Sequence, residues 1–313
     1  MRRVTIKGLL QAAAVLTVAF SLTTLLPIDH HALQLFTHFR LQYLAVSLLL
    51  MVAFAFLRSP GYSAAMMVSV VANALVVTPW YLDGVADSGD VEITLLHANV
   101  LATNGEHDKL FALLADEEPD LVFLQEISPQ WEAALSALHA DYPHRYVEAR
   151  DGNFGIALLS RLPLASVGHV ESAPLGFPTL HGELSVGYKT IRFISTHPMI
   201  PLGADNYAAR NEQLHAVVQL PGFSTGPTDD SMILVGDLNI TMWDVNYRDF
   251  EGSTGLRNAR QGHGILPTWP TFMPFAMIPI DHVLVSNDIE IKQIRTGARI
   301  GSDHLPLVVT LSL

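Results

Sequence analysis

The chain has no cysteine among its 313 residues. This absence excludes a disulfide framework, a thiol nucleophile and a zinc site built from thiolates. Catalytic chemistry in this chain must therefore use other groups, such as carboxylates and imidazoles.

Basic side chains are scarce, with 18 lysines and arginines against 30 aspartates and glutamates. The imbalance falls on residues 91–313, which carry 13 basic and 26 acidic side chains, a net charge of −13. Sequence-independent affinity for nucleic acid comes from basic side chains that neutralise phosphates. The acidic balance therefore disfavours a duplex DNA substrate, although a local basic groove is compatible with it.

Apolar residues make up half of the chain and concentrate near its start. Three runs contain no Asp, Glu, Lys or Arg: residues 9–26, 41–57 and 62–82. A bilayer core requires about 20 apolar residues in helical form, with a usable range of about 17 to 25. We therefore predict a membrane anchor of three transmembrane helices in residues 1–82. The alternative for the first run is a cleaved signal peptide behind the basic residues of the N-terminus.

The distribution of Lys and Arg predicts the orientation of this anchor. Arg2, Arg3 and Lys7 favour a cytoplasmic N-terminus, because basic residues concentrate on the inner side of a membrane. The loop at residues 27–40 and everything after residue 82 would then lie outside. The linker at residues 83–90 can reach at most roughly 28 Å. We therefore predict an integral membrane protein with an extracytoplasmic catalytic domain close to the membrane.

From Val91 onward the pattern changes to short apolar runs separated by turn residues. Helices are predicted at residues 108–117, 129–139 and 205–218, with Ser128 as N-cap and Pro129 at the first position of the second helix. Strands are predicted at residues 91–99, 120–126, 154–160, 231–237, 281–286 and 305–313, with two more in 182–196 around a turn at Gly187 and Tyr188. We predict one α/β domain at residues 91–313.

Acidic, amide and imidazole side chains recur where the predicted strands end, and loops at strand ends can bring such groups together. These sites are Asn99, Gln125-Glu126, Thr196-His197, the GDLN motif at residues 236–239, Thr268-Trp269, Asp281-His282 and the SDH motif at residues 302–304.

This ordered set resembles the endonuclease/exonuclease/phosphatase family, which includes pancreatic-type deoxyribonucleases, apurinic endonucleases, neutral sphingomyelinases and inositol polyphosphate phosphatases. The resemblance spans residues 93–311, and GDLN and SDH are its most specific motifs. It implies a two-layered β-sandwich flanked by helices. It also implies a metal-dependent hydrolase of phosphoester bonds.

The residue types suggest where a metal ion would bind. Mg²⁺ prefers oxygen ligands, and Glu126, at the end of an apolar strand, is the best candidate. The alternative for Glu126 is a solvated carboxylate at a strand end. The resemblance implies Mg²⁺, with Mn²⁺ as a substitute, and adds Asn99 and Asp303 as ligands or close neighbours. The alternative for Asn99 is a turn residue that closes the first strand.

The resemblance also implies the catalytic groups. Asp237 would orient and deprotonate the attacking water, and Asn239 would hold the developing charge. The two lie two residues apart, so on an extended segment their side chains project to the same face. His304 would contact the scissile phosphate, with Asp281 fixing its tautomer. His197 would contact another phosphate oxygen or the leaving group.

Four further residues are candidates for weaker roles. Asn153 precedes the strand at 154–160, which resembles the family's segment leading into a central strand, where an Asn or Gly residue commonly faces substrate. Arg210 would either orient other groups or contact a phosphate, the alternative being an exposed helical arginine. His282 is interpreted as a packing residue or a phosphate contact. Trp269 belongs to an aromatic loop and is expected to bind substrate.

That loop, residues 265–280, has four prolines and no charged residue. It could cover the core, form a wall of the substrate cleft or contact the membrane. Together with the acidic surface and the short linker, it favours a small or lipid-linked phosphoester. The alternatives are an extracytoplasmic nuclease and, less favoured, a non-catalytic membrane scaffold on the same fold.

Overall fold

The computed structural model describes residues 5–82, 91–187, 189–220 and 231–313. Arg2, Arg3, the predicted linker at residues 83–90 and Tyr188 of the predicted turn lie outside these ranges.

Four apolar helices come first: α1 (Ile6–Thr23), α2 (His31–Thr37), α3 (Arg40–Phe56) and α4 (Pro60–Val77), the last followed by a 3-10 turn at Thr78–Tyr81. Two of the described segments, Ile6–Thr23 and Pro60–Tyr81, are long and apolar enough to cross a membrane. Helix α3 is bent by 63° from α2, and the two make a third candidate span only if they are counted together.

Helix α2 corrects the predicted loop at residues 27–40. The side chain of His30 caps it by accepting a hydrogen bond from the backbone N–H of Ala32 at 3.3 Å. Every position from 28 to 39 lacks glycine and proline, so nothing in this segment opposes a helical turn. A short helix can therefore form here. It was not predicted, because the polar and apolar residues of this segment do not follow a helical period.

The remaining described residues form twelve strands, four α-helices and two 3-10 turns, at Ser136–Leu138 and Pro274–Ala276. The strands are β1 (Glu92–Asn99), β2 (Leu121–Gln125), β3 (His144–Glu148), β4 (Ile156–Ser160), β5 (Leu164–Ser172), β6 (Phe177–Val186), β7 (Lys189–Thr196), β8 (Ser231–Asp237), β9 (Arg257–Asn258), β10 (Asp281–Val285), β11 (Glu290–Thr296) and β12 (Leu307–Ser312). The helices are α5 (His107–Glu117), α6 (Pro129–Leu135), α7 (Ala204–Val218) and α8 (Val245–Thr254). Helices α5, α6 and α7 confirm the three predicted helices, except that α6 ends at Leu135 and a 3-10 turn at Ser136–Leu138 takes the place of its predicted last turn.

The strands build two six-stranded sheets. Sheet A has the order β11-β12-β1-β2-β4-β3, and sheet B has the order β5-β6-β7-β8-β10-β9. Each sheet has one parallel pair at its centre, β1 with β2 and β7 with β8, and its other neighbours are antiparallel. Parallel neighbours end at the same edge, so residues that follow these four strands can meet.

The two sheets pack face to face around one apolar core. Phe123 of sheet A and Phe193 of sheet B meet edge to face, with ring centroids 5.9 Å apart. The outer face of sheet A packs against α5 and α6, where Trp131 is fully buried. Sheet B packs against α7 and α8. This confirms a two-layered sandwich flanked by helices.

The N-terminal helices also contact sheet B. Val77 belongs to the cluster that covers its outer face, and Leu41, Leu44 and Trp80 pack against that cluster. The backbone N–H of Gly264 donates to the carbonyl of Trp80 at 2.7 Å. The apolar helices and the sandwich are therefore joined by packing as well as by the chain.

Candidate active site

The candidate residues converge where the two central strand pairs end. Asn99 ends β1, Glu126 follows β2, His197 follows β7 and Asp237 ends β8. Asn99 joins the sheets, because its Nδ2 lies 3.0 Å from Glu126 Oε1 and 3.2 Å from Asp237 Oδ2. The site is therefore assembled from both sheets.

Gln125 fixes the position of one sheet against the other beneath this site. Its Nε2 donates to the Thr196 carbonyl at 2.6 Å, and its Oε1 accepts from the Asp237 backbone N–H at 2.7 Å. A Cβ atom at Gly236 would lie 2.0 Å from the Thr196 carbonyl oxygen. The glycine of the GDLN motif is therefore required by this close approach.

The backbone turns sharply at two of the site residues. Glu126 has a φ of 65° and Asn239 a φ of 51°, in the left-handed region that residues other than glycine seldom adopt. The turn at Glu126 lets its Oε2 accept from the Ala102 N–H at 3.0 Å. At Asn239, the backbone N–H donates to Asp237 Oδ1 at 3.0 Å and Nδ2 donates to the Pro198 carbonyl at 3.0 Å. Both side chains are held in fixed orientations.

Asp281 lies between two histidines. It pairs with Asp237 across β10 and β8. Its Oδ2 lies 2.9 Å from His304 Nδ1, and its Oδ1 lies 3.0 Å from His97 Nε2. His304 Nε2 lies 3.5 Å from Asp237 Oδ2. His304 is therefore bracketed by two buried carboxylates.

This arrangement determines the charges of the group. Burial alone would lower the pKa of His304, but Asp281 and Asp237 raise it to about 10. Burial would raise the pKa of each carboxyl, but the His304 imidazolium lowers that of Asp237 and holds that of Asp281 well below its usual range. The favoured state is an imidazolium between two carboxylates.

His197 is the second buried imidazole of the site. Its Nε2 lies 3.5 Å from Asp237 Oδ2, and its ring centroid lies 5.5 Å from that of Phe154. Burial opposes the charged form, but Asp237 outweighs burial and raises the pKa of His197. Asp237 is therefore the acceptor on which both histidines converge.

Two groups of side chains could hold a cation. Ligand atoms of Asp237, Asp281 and His304 lie within 4.8 Å of one another. His304 already pairs with both of these carboxylates, so an ion there would have to displace an imidazolium. Glu126 is buried, and within the described ranges its carboxylate accepts only from amide groups and has no Lys or Arg partner. An uncompensated buried carboxylate suits a hard divalent cation, so Glu126 fits this role better.

Asn99 and Asp303, the other predicted ligands, make different contacts. The Asn99 Oδ1 accepts from the Leu101 N–H at 3.1 Å, while its amide nitrogen faces the carboxylates. Asp303 is half-buried, and its Oδ2 accepts from Trp269 Nε1 at 2.9 Å. Trp269 therefore orients Asp303.

The site opens into a cleft of about 370 Å³. This volume is within the usual range for small-molecule sites. The polar lining residues are His38, Glu126, Asn153, His197, Asp237, Asn239, Asp303 and His304, together with Trp269, and the apolar lining residues are Leu35, Phe39, Leu101, Ile200, Pro201, Leu202, Ile278 and Ile280.

Residues 95–304, more than half of the chain, match the model of the Endonuclease/Exonuclease/phosphatase family. The chain belongs to this family. No curated protein sequence matches it.

Solved structures share the fold of this family member. D. rerio TDP2, in a complex with a single-strand DNA product, is 19% identical with a TM-score of 0.60, over 72% of this chain and 100% of that one. Sphingomyelinase C from Streptomyces griseocarneus is 17% identical with a TM-score of 0.52, over 70% and 99%. An endonuclease/exonuclease/phosphatase from Beutenbergia cavernae DSM 12333 is 20% identical with a TM-score of 0.57, over 71% and 72%.

Arg210 and His282 lie outside the cleft lining of this family member. Arg210 is fully buried, and its NH1 donates to the Asn239 carbonyl at 3.0 Å. It therefore holds the backbone of the site in place at Asn239. His282 Nε2 lies 2.8 Å from the Ile240 carbonyl oxygen, and burial lowers its pKa to about 3. His282 is thus a neutral packing residue in this structure, whereas Asn153 does line the cleft.

The aromatic loop at residues 265–280 divides into parts with different surroundings. Ile265 is buried in the apolar cluster that covers the outer face of sheet B. Trp269 and Ile278 line the cleft. Phe272 and Phe275 are 69% and 80% exposed. The loop therefore both covers the core and walls the cleft, and its tip presents aromatic rings outward.

Sequence reasoning missed two groups of residues at the site. His97 lies two residues before Asn99 on β1, so the alternation of a strand places both on one face, a signal that was available. Leu35, His38 and Phe39 come from the N-terminal helices, and no sequence signal connects them to a site that begins at Asn99.

Proposed function

We propose that this chain is a membrane-anchored, divalent-metal-dependent phosphodiesterase that acts on a small or lipid-linked phosphoester. The observation that carries the proposal is the convergence of Glu126, Asp237 and His304, from both sheets, at the base of one cleft. A carboxylate without a Lys or Arg partner among the described residues, a second carboxylate and an imidazolium are the groups that phosphoester hydrolysis needs.

Glu126 and Asp303 would hold Mg²⁺, or Mn²⁺ in its place, with Asn99 beside them. When bound, the cation would supply Lewis-acid stabilisation of charge on the phosphoryl oxygens. Asn99 presents its amide nitrogen to Glu126 and therefore positions this ligand; as a direct ligand it would have to present its oxygen instead.

The residues of the chain supply the remaining steps. Asp237 accepts a proton from a water molecule while the oxygen of that water bonds to phosphorus. The bond between phosphorus and the leaving ester oxygen breaks. The His304 imidazolium donates to a phosphoryl oxygen, with Asp281 holding its Nδ1 side. His197 donates to the leaving oxygen, and the free N–H of the Asn239 amide stabilises the developing charge.

The test is hydrolysis by the full chain, purified in dodecyl maltoside, with Mg²⁺ or with a chelator. The panel contains bis(p-nitrophenyl) phosphate, p-nitrophenyl phosphate, plasmid DNA, single-stranded DNA and phospholipid vesicles. We expect chelator-sensitive hydrolysis of the aryl diester that exceeds hydrolysis of the monoester. A folded protein that turns over none of these with Mg²⁺ or Mn²⁺ would support the scaffold hypothesis instead.

An extracytoplasmic nuclease is the second candidate, and the fold it shares with the DNA-bound TDP2 structure favours it. This candidate predicts cleavage of DNA that weakens steeply with salt. The acidic balance of residues 91–313 argues against it, because few basic side chains are available to neutralise a polyanion. In the same panel, DNA cleaved faster than the aryl diester would favour the nuclease.

The proposed location of the catalytic domain is the outer side of the membrane. It rests on the basic residues before α1 and on an odd number of spans, with α2 and α3 counted as one. We expect an alkaline phosphatase reporter fused after Leu313 to be active, since this enzyme matures only outside the cytoplasm. Activity of a cytoplasmic reporter at the same position would contradict this orientation.

A further inference from the structure

The N-terminal helices contribute directly to the cleft. Leu35, at the end of α2, and His38 and Phe39, at the bend between α2 and α3, line the same cleft as Glu126 and His304. The bend of 63° brings this junction against the site.

Hydrogen bonds on both sides of the bend hold this junction in place. His38 Nδ1 lies 2.9 Å from Thr241 Oγ1, and both side chains are buried. Before the bend, Tyr207 OH donates to Asp29 Oδ1 at 2.5 Å. After it, Gln42 Nε2 donates to the Met277 carbonyl at 2.9 Å. The junction is therefore a fixed wall of the cleft.

Two kinds of side chain line the cleft. Glu126, Asp237 and His304 are polar and buried. Leu35 and Phe39 are apolar and half-buried, and the apolar Ile200 and Leu202 are exposed. None of the lining residues is Lys or Arg. Such a cleft suits a ligand with a phosphate at one end and a hydrocarbon chain at the other, and offers little to a polyanion.

Apolar side chains are also exposed to solvent on the cleft lining and on the loop that contributes to it. Leu202 is 65% exposed, and the loop that carries Trp269 and Ile278 also exposes Phe272 and Phe275. Exposed aromatic and aliphatic side chains on a protein with candidate membrane spans favour the interfacial region of a bilayer. These exposed side chains favour a ligand that is presented by the bilayer.

We propose that the α2–α3 junction is the specificity-determining wall of the active site, and that Leu35 and Phe39 hold the hydrocarbon chain of a phosphoester lipid. This inference rests on the proposed function and adds the class of substrate. The membrane segment is then part of the substrate site as well as an anchor.

Two diesters with the same scissile bond test the proposal: methyl p-nitrophenyl phosphate and hexadecyl p-nitrophenyl phosphate. With the full chain in dodecyl maltoside and Mg²⁺, we expect kcat/KM for the hexadecyl ester to exceed that for the methyl ester by about tenfold or more. In Leu35→Ser and in Phe39→Ser this ratio falls by roughly fivefold or more. Each ratio is measured on one sample, so a loss of folded protein cancels.

Leu33→Ser is the matched control, because Leu33 lies on α2, as Leu35 does, but is exposed and absent from the cleft lining. It keeps the wild-type ratio, which excludes an effect of partitioning into detergent. A wild type without preference for the long chain, or equal ratios in all three variants, would overturn the proposal. Failure of the proposed function would look different, since neither ester would then be hydrolysed. Phe39→Leu, which keeps an apolar side chain, retains most of the preference if the wall acts through burial.

Discussion

Asp237→Asn is expected to lower kcat for aryl phosphodiester hydrolysis by roughly a thousandfold or more. The amide has nearly the shape of the carboxylate, and its oxygen can still accept from the Asn239 N–H. It cannot take a proton from water, and it removes the negative charge on which His197 and His304 converge. The loss would therefore appear in kcat, measured on protein that is shown to be folded.

Asp116→Asn is a suitable control, because Asp116 is an exposed carboxylate on α5. It makes the same chemical change far from the cleft and keeps wild-type activity. If Asp237→Asn retained activity within tenfold of the wild type, another group would have to activate the water.

Glu126→Gln is expected to abolish the stabilisation of the protein by Mg²⁺ and to lower activity by roughly a hundredfold or more. The amide keeps one acceptor oxygen, so only one of the Asn99 and Ala102 N–H groups keeps its partner, and the side chain loses the charge that attracts a cation. A ligand that binds only the folded state raises the melting temperature, and the rise grows with the logarithm of the ligand concentration above the dissociation constant. The wild type should therefore melt higher in Mg²⁺ than in a chelator, whereas Glu126→Gln should melt at the same temperature in both.

Glu132→Gln, an exposed change on α6, should retain the full response to Mg²⁺. An undiminished response in Glu126→Gln would move the ion to the group formed by Asp237, Asp281 and His304. In that case Asp281→Asn, and not Glu126→Gln, would remove the melting shift.

The central strands of the sandwich were predictable because their patterns are simple. Strands β2 and β4 are buried along their whole length and read as uninterrupted apolar runs. The edge strands were harder to predict. Strand β5, with the sequence LASVGHVES, carries polar and small side chains on a half-exposed face, so its pattern resembles that of a loop.

Helix α8 was not predicted from the sequence, for a different reason. Asp244 caps it by accepting from the Asn246 N–H at 2.8 Å, so an N-terminal signal was present. Polar residues dominate the helix, however, and Tyr247 and Phe250 give its buried face only two large apolar side chains. Its place depends on packing against sheet B rather than on its own pattern.

The candidate site was predictable in its members but only partly in its contacts. The side chains that end the central strands could be identified from order and residue type. The His97–Asp281 pair joins residues that are 184 positions apart, and the contact of Asp29 with Tyr207 spans 178. Such contacts depend on how two sheets and a helical bundle pack, which no local pattern encodes. The N-terminal wall of the cleft belongs to this class.

The candidate site residues share one feature of position: none lies on β3, β5, β9 or β11, the four strands at the sheet edges. The chemistry occupies the ends of interior strands and the turns beside them. The outer strands themselves can consequently accumulate exchanges at little cost to turnover, whereas the loops that follow β3, β9 and β11 carry Asn153, Trp269 and His304. Substitutions should therefore accumulate in the edge strands long before they reach the catalytic residues. This is one way for a single hydrolytic core to acquire new substrates during evolution.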